Sequence, residues 1–270
     1  MAITRAELRR RIGRRMGELI VIRSTLAGSN VTFIDSFNLA VEAGSLRGRE
    51  VVFTAGTAAN IGLVRRVEDN SRTATSITIT PALSAVTALN DEAELFHLRS
   101  VGPRVDAIHD AINSAITALG PSQPTTYTFT AAFDRESPTI AIPTNFGRIT
   151  GLESHDAGVD TIWRSQPALW KVDKANRTLT INDVQRYDMD THLVRLVGMT
   201  IADSLENDSE TTVIDPEWLV LEAVAQLREA GLANASDRGN AERAAFFARQ
   251  QADRLRARAI PRALPNSVWV

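Results

Sequence analysis

The chain of 270 residues is long enough to bury a substantial core in one large domain or in two or three smaller modules. It contains no cysteine, which excludes disulfides, thiolate zinc sites and a cysteine nucleophile; no apolar run approaches membrane-spanning length, so we expect a soluble, unprocessed protein. The formal net charge of −2 conceals two basic ends, residues 1–23 and 238–262, which each hold seven arginines and two acidic residues around an acidic middle. Such ends are typical of solvated helix faces, with contact to nucleic acid or to an acidic partner as the functional alternative.

The first predicted element is an arginine-rich N-terminal helix, assigned to residues 1–27. Thr4 can cap it with Glu7 completing a capping box, and its apolar stripe consists of Leu8, Ile12, Met16 and Leu19. From residue 28 to 101, short β-type runs alternate with Gly, Asn and Asp, which predicts a small β-barrel or sandwich of about five strands. A central helix follows within residues 102–120, and its apolar face is formed by Val105, Ile108, Ile112, Ala115, Ile116 and Leu119.

Residues 121–212 predict a second β region, which begins with a hinge-like linker at Pro121–Pro124. Seven short strands separated by turn residues indicate an antiparallel β-sandwich, with a hairpin between 169–172 and 178–181. Residues 213–259 predict a helical pair. Its first helix starts at Asp215 and Pro216 and ends at Gly231, and its second carries a stripe of small residues. The predicted fold class is therefore α+β: a β-sandwich and a small β-barrel-like module, packed with a bundle of the N-terminal, central and C-terminal helices.

The titratable residues give no pattern typical of a catalytic or metal site. No two histidines have a metal-binding spacing, and His109 lies beside the apolar face of its helix, where we expect a partly buried packing role. His155 and Asp156 fit a plain loop, because no nucleophile turn occurs in the chain. The acidic segment Asp203–Glu210 reads as a solvated loop, with ionic contact to an arginine-rich neighbour as the alternative. We therefore predict no enzyme activity, no cofactor and no metal.

The extended tail, residues 260–270, is the segment that we expect to bind a partner. Pro261 and Pro265 prevent a continued helix, and the last residues are bulky and apolar. Trp269 lies one residue from the free end, where it is poorly placed to reach the core of its own chain. The predicted partner-binding residues are Leu264, Val268, Trp269, Val270, Arg254, Arg258 and Arg262.

The layout of β modules against a helical bundle, the segment 214–223 (IDPEWLVLEA), the Ala/Arg-rich last helix and the extended tail resemble a known family. They are similar to head-to-tail connector proteins, also called adaptor or neck proteins, of tailed bacteriophages. The resemblance implies a homo-oligomeric ring, commonly of twelve copies, around the channel through which double-stranded DNA passes without specific binding. It also implies that the bundle and tail dock on the portal protein, while the β part faces the next neck or tail protein.

The same resemblance implies a location at the neck of the virion, after assembly in the host cytoplasm, and no membrane partner. The β module at 28–100 departs from compact all-helical adaptors, which leaves a portal-proximal and a more distal neck position open. Two other functions stay open. One is a carbohydrate-binding β-sandwich or hydrolase with a sugar site at Trp163, Trp170, His155 and Asp156. The other is a tail-terminator or a collar protein that anchors fibres.

Overall fold

The computed structural model of the chain describes residues 2–96, 104–129, 139–156, 162–165, 170–181, 192–231, 238–259 and 268–269. Within these residues the fold is α+β, as the sequence predicts, with helices and several antiparallel sheets. The chain forms two compact units. The first unit comprises residues 1–115 and 205–255, and the second comprises residues 116–204 and 256–270.

The bounds of the elements follow in chain order. The helices are α1 (Arg5–Met16), α2 (Val105–Leu119), α3 (Pro216–Gly231) and α4 (Arg238–Ala259). The strands up to the central helix are β1 (Ile3–Thr4), β2 (Leu19–Arg23), β3 (Thr32–Ile34), β4 (Glu50–Ala55), β5 (Val64–Ser71), β6 (Ser76–Thr80) and β7 (Glu92–Phe96). The later strands are β8 (Pro121–Thr128), β9 (Thr139–Ala141), β10 (Phe146–Asp156), β11 (Arg164–Ser165), β12 (Trp170–Asp173), β13 (Thr178–Ile181), β14 (His192–Ile201), β15 (Thr211–Thr212) and β16 (Val268–Trp269).

Strands β2 to β7 form one antiparallel sheet in the first unit, in the order β2-β7-β4-β5-β6-β3. Its core contains Phe33 and Phe53, whose rings pack edge to face with 5.8 Å between centroids. The two edge strands, β2 and β3, approach each other at one end. Just after β2, Thr25 N donates a hydrogen bond to Ile34 O of β3 at 2.9 Å. The sheet therefore curls into a barrel-like module, and five of its strands, β3 to β7, lie within the β region predicted at residues 28–101.

The N-terminal helix is shorter than the predicted segment 1–27. Thr4 Oγ1 accepts a hydrogen bond from Glu7 N at 3.2 Å, which confirms the start at Thr4. The helix nevertheless ends at Met16, because Gly17 takes a left-handed conformation with φ 73° and its N–H donates to carbonyls of the last turn. The stretch Leu19–Arg23, which lies in the predicted helical segment 1–27, is instead strand β2 and pairs with β7.

The helices bury the faces that the sequence indicates. The predicted apolar residues of α2 are all buried, and on α3 the buried residues include Trp218, which is 1 % exposed. Helix α1 packs against α3, and on α4 the small residues Ala245, Ala248 and Ala252 are buried. Short β1 pairs with β15, which fixes the start of the chain beside the segment that leads into α3.

The second unit contains two antiparallel sheets. In one, β10, β14 and β8 lie side by side, and β11 and β16 both pair with β10. The other, in the order β12-β13-β9, includes the predicted hairpin, in which Trp170 pairs with Ile181. Residues of both sheets share one hydrophobic cluster, which includes Ile149 and Leu179. The sandwich stays a prediction, but the expected linker Pro121–Pro124 is wrong, since these residues belong to β8.

Candidate interaction surfaces

The arginines of α1 divide between a buried ionic network and an exposed face. Arg9 is completely buried, and its Nε donates to Oε2 of the equally buried Glu94 at 3.0 Å. Arg10 donates to Oε1 of the same carboxylate at 2.8 Å. A buried charge is tolerated only when it is paired and hydrogen-bonded, so these two arginines fasten α1 to strand β7. Part of the basic N-terminus is therefore structural.

The acidic loop before β15 joins this network. Asp208 accepts two hydrogen bonds from Arg9 Nη1, at 2.6 and 2.7 Å, and one from Arg5 Nε at 3.2 Å. Burial alone raises the pKa of Asp208, but the hydrogen bonds and charges of Arg9 and Arg5 lower it below its ordinary value. Asp208 of the acidic loop thus makes the ionic contact with arginine that was the alternative prediction, and the arginines belong to the same chain.

His109 on α2 completes the network and is partly buried, as predicted. Its Nε2 lies 3.2 Å from Arg9 Nη1, so the neutral imidazole can accept a hydrogen bond from that guanidinium. Burial, and then the charges of Arg5 and Arg9, lower the pKa of His109 to about 4. The ring therefore stays neutral at pH 7, where its role is to pack and to accept a hydrogen bond.

The exposed face of α1 borders an open cavity of about 470 Å³ against the first turn of α3. This arginine cleft is lined by Arg11, Arg14, Arg15, Pro216, Glu217 and Val220. Arg11 also pairs with Glu7, and Arg15 donates to Gln251 of α4 at 3.1 Å. Glu217 and the Glu7 that pairs with Arg11 offset two of the three cations, so the cleft keeps a net positive charge, which favours an acidic side chain of a partner.

The outward face of α4 carries one predicted partner residue and two aromatic residues that the sequence reading missed. Arg254 is exposed, whereas the side chain of Arg258 lies outside the described residues. Phe246 and Phe247 are 63 % and 56 % exposed, and their rings lie 6.0 Å apart. Exposed aromatic residues flanked by arginine are typical of interface cores and their rims. The signal that could have identified them in the sequence is their position on the helix face opposite the alanine stripe.

The end of the chain lies partly outside the described residues. Arg262, Leu264 and Val270 belong to that part, and for Val268 and Trp269 only the backbone is described. Strand β16 pairs antiparallel with β10 of the same chain, with Val268 opposite Ile149 and Trp269 opposite Arg148. We expected the last residues to find no partner within their own chain. For the backbone of β16 this expectation is wrong, because β10 of the same chain pairs with it. Binding of the chain end to another subunit stays a prediction.

The structure brings together only part of the alternative sugar site. His155 and Trp163 pack edge to face at 4.4 Å, but Arg195 covers the Trp163 ring with its Cζ 4.2 Å from the centroid. Arg195 is held there by Glu153, at 2.6 Å. Trp170 lies on β12 of the other sheet, and the side chain of Asp156 is outside the described residues. Arg195 therefore occupies a face of the Trp163 ring on which a sugar could otherwise stack.

Comparisons with known proteins assign no family. No protein-family model matches the chain, and no curated protein gives a significant match. Among the described residues, no three His, Cys, Asp or Glu side chains are placed to hold a metal ion. None of the helices in the same residues combines the length and the apolar character needed to cross a bilayer. The described residues present three candidate surfaces for contact: the arginine cleft, the edge of β10 and the outward face of α4.

Proposed function

We propose that the protein is a structural component of a tailed-bacteriophage neck, a head-to-tail connector whose copies form a ring around the DNA channel. The observation that carries this proposal is the use of the chain end as a strand on the edge of β10. A terminal strand held by backbone pairing at a sheet edge can be supplied by a neighbouring copy with the same hydrogen bonds. Exchange of β16 between copies then links subunits into a ring.

The length of chain before β16 is compatible with such an exchange. Helix α4 ends at Ala259 and β16 begins at Val268, so eight residues separate them. Eight residues reach at most about 27 Å when fully extended, which is roughly the width of a small domain. The strand can therefore reach the β10 edge of an adjacent subunit, provided that the subunits are packed closely.

The distribution of charge supports the same role. The arginine cleft gives one surface for an acidic portal or neck partner, since Arg11, Arg14 and Arg15 line it together. Between residues 24 and 237 the chain carries 16 basic and 28 acidic residues. An acidic body repels the phosphate backbone, and a conduit for DNA must not hold its cargo tightly.

The absence of cysteine from the sequence allows a direct test by disulfide trapping. Ile149→Cys and Val268→Cys place two thiols on paired residues of β10 and β16. If neighbours exchange β16, oxidation of the assembled double variant gives covalent ladders on a denaturing gel without reductant. Each single variant is the control and gives none. Assemblies that contain only cross-links within one chain would overturn strand exchange.

Electron microscopy and a truncation test the function itself. We expect the full chain to form closed rings, alone or in the particle that contains it. A chain that ends at Ile260 should keep its helical and β signals in circular dichroism but lose assembly, because it lacks β16. Normal attachment by the truncated chain, or a full chain that never closes into rings, would refute the connector proposal.

A further inference from the structure

Two arginines of α1 in the arginine cleft carry charges that the surrounding fold does not neutralise. Arg11 pairs with Glu7 at 3.0 Å, and Arg15 donates to the uncharged Gln251 at 3.1 Å. In the part of the chain that the structure describes, no carboxylate lies within 4.0 Å of the guanidinium nitrogens of Arg14 or Arg15. These two guanidinium groups are therefore open to the carboxylates of a partner.

The three arginines lie on one side of their helix. Successive residues of an α-helix are turned by about 100°, so Arg11, Arg14 and Arg15 fall within an arc of about 100°. Arg11 and Arg15 are about 6 Å apart along the helix axis. All three side chains line the same cavity, so one bound segment can contact more than one of them.

The opposite wall of the cleft, at the first turn of α3, has a different chemistry. Pro216 and Val220 give it an apolar surface, and Glu217 gives it a carboxylate. A ligand that carries only negative charges is repelled where it passes Glu217. A ligand that places an apolar side chain on Pro216 and Val220 avoids this repulsion and gains burial.

The two walls are held together before any ligand binds. Ile3 and Thr4 of β1 pair with Thr212 and Thr211 of β15, which joins the starts of α1 and α3. Arg5 N also donates to Glu210 O at 3.0 Å, and the two helices pack on each other. Because the cleft is fixed in advance, binding in it loses little conformational entropy.

The size and charge of the cleft favour a peptide over a nucleic acid. Its volume of about 470 Å³ lies in the lower half of the range of roughly 300–1,000 Å³ that is typical of ligand sites. Such a volume takes a few side chains. Nucleic acids carry evenly spaced phosphates and gain affinity from many phosphate contacts at once. A cleft with one net positive charge and Glu217 in its wall offers few such contacts.

We propose that the arginine cleft binds a short segment of a partner protein that carries two carboxylates beside one apolar side chain. The carboxylates pair with Arg14 and Arg15, and the apolar side chain packs on Pro216 and Val220. This inference rests on the proposed function, in which the partner is the neighbouring neck component, and it specifies the chemistry of the docking segment. Exposed ion pairs are individually weak, so repetition of the cleft around a ring strengthens the contact through multivalency.

Photolabelling tests the site directly on the full-length chain. The probe is a short peptide with two glutamates beside one diazirine-bearing photo-leucine in a serine background. After irradiation, mass spectrometry should locate the label in residues 11–15 and 214–221. A peptide with glutamines in place of the glutamates should label these residues at least about fivefold less, and added salt should weaken labelling by the glutamate peptide. Equal labelling by both peptides would overturn the proposal.

Charge reversal in the cleft gives a second measurement. Arg14→Glu combined with Arg15→Glu should reduce labelling at least about tenfold without changing the circular dichroism, because both side chains are exposed. The matched control is Arg47→Glu combined with Arg72→Glu, since these arginines are exposed in the same unit but do not line the cleft. It should label as the wild type does. A lysine version of the peptide should label the cleft variant better than the glutamate version, which damage to the fold would not produce.

Nucleic acid is the competing class of ligand. An oligothymidylate with the same net charge as the peptide should compete for the cleft less well than the unlabelled glutamate peptide. Glu217→Gln should improve competition by the oligonucleotide more than competition by the peptide, because evenly spaced phosphates cannot avoid Glu217. Stronger competition by the oligonucleotide in the wild type would assign the cleft to nucleic acid and overturn the proposal.

The result can be separated from that for the connector function. Closed rings of a chain whose cleft takes no label would refute this inference and leave the connector function standing. A labelled cleft in chains that never close into rings would do the reverse.

Discussion

Acidification tests whether the ionic network around α1 holds the first unit together. The His109 side chain is 15 % exposed, and it faces the guanidinium groups of Arg5 and Arg9. Burial and these two charges lower its pKa from 6.5 to about 4, although Asp208 and Asp106 oppose the shift. Protonation of His109 in the folded protein places a third positive charge beside those of Arg5 and Arg9. The folded state therefore resists protonation more strongly than the unfolded chain.

The size and sign of the effect follow from linkage. Because the folded pKa is lower than the unfolded one, the unfolded chain binds the proton first as the pH falls below 6.5. The contribution of neutral His109 is complete above pH 6.5 and is lost between pH 6.5 and about 4. Each pH unit in that window costs about 1.4 kcal/mol, so the loss reaches about 3 kcal/mol as an upper bound.

Urea unfolding followed by tryptophan fluorescence, at half-unit steps from pH 7 to pH 4, measures this loss. His109→Gln is the control, since its amide oxygen can still accept from Arg9 but does not titrate. We expect the free energy of unfolding to fall more steeply for the wild type than for His109→Gln. The lowered pKa of Asp208 places its own contribution below pH 3.8, outside this window. Equal slopes for the two proteins would refute the reasoning.

Two further changes test local features of the first unit. Asp215→Ala should lower the free energy of unfolding by about 1 kcal/mol in urea titrations, because Asp215 Oδ1 accepts from Trp218 N at the start of α3. Gly56→Ala should cost more than about 3 kcal/mol in thermal unfolding, since its φ is +104° and the added Cβ would lie 2.0 Å from Asp91 Oδ1. Gly62→Ala is the matched control at φ +83° with open space around it, so it should cost only about 1 kcal/mol. Similar losses for the two glycine variants would contradict the close contact with Asp91.

The helices were predictable because their signals are local. The Thr4 cap, the apolar face of α2 and the start of α3 at Pro216 each depend on residues within a few turns of one another. The predicted end of the N-terminal helix is wrong because two periodicities overlap there. Leu19 extends the helical stripe of Met16 but is also the first residue of strand β2. Only the left-handed turn at Gly17 separates the two elements.

The interaction surfaces were less predictable, because they depend on contacts between distant parts of the chain. Arg9 and Arg14 are the same residue type on one helix, yet Arg9 is buried against Glu94, 85 residues away, and Arg14 is exposed. No local pattern identifies that partner. The pairing of Val268 with Ile149 joins residues more than a hundred positions apart, so the sequence revealed an apolar chain end but not the sheet edge that receives it.

The two proposed contacts, strand exchange at β10 and docking through the arginine cleft, depend on different physical forces. This difference affects how a ring can form before it meets its partner. Strand exchange at β10 uses backbone hydrogen bonds, which do not depend on net charge. The arginine cleft acts through charges that are exposed to solvent, and salt screens such charges over about 10 Å. Contacts between copies can therefore persist at ionic strengths that release an acidic partner. This separation lets the ring assemble as a unit, while its docking to the neighbouring neck component stays adjustable.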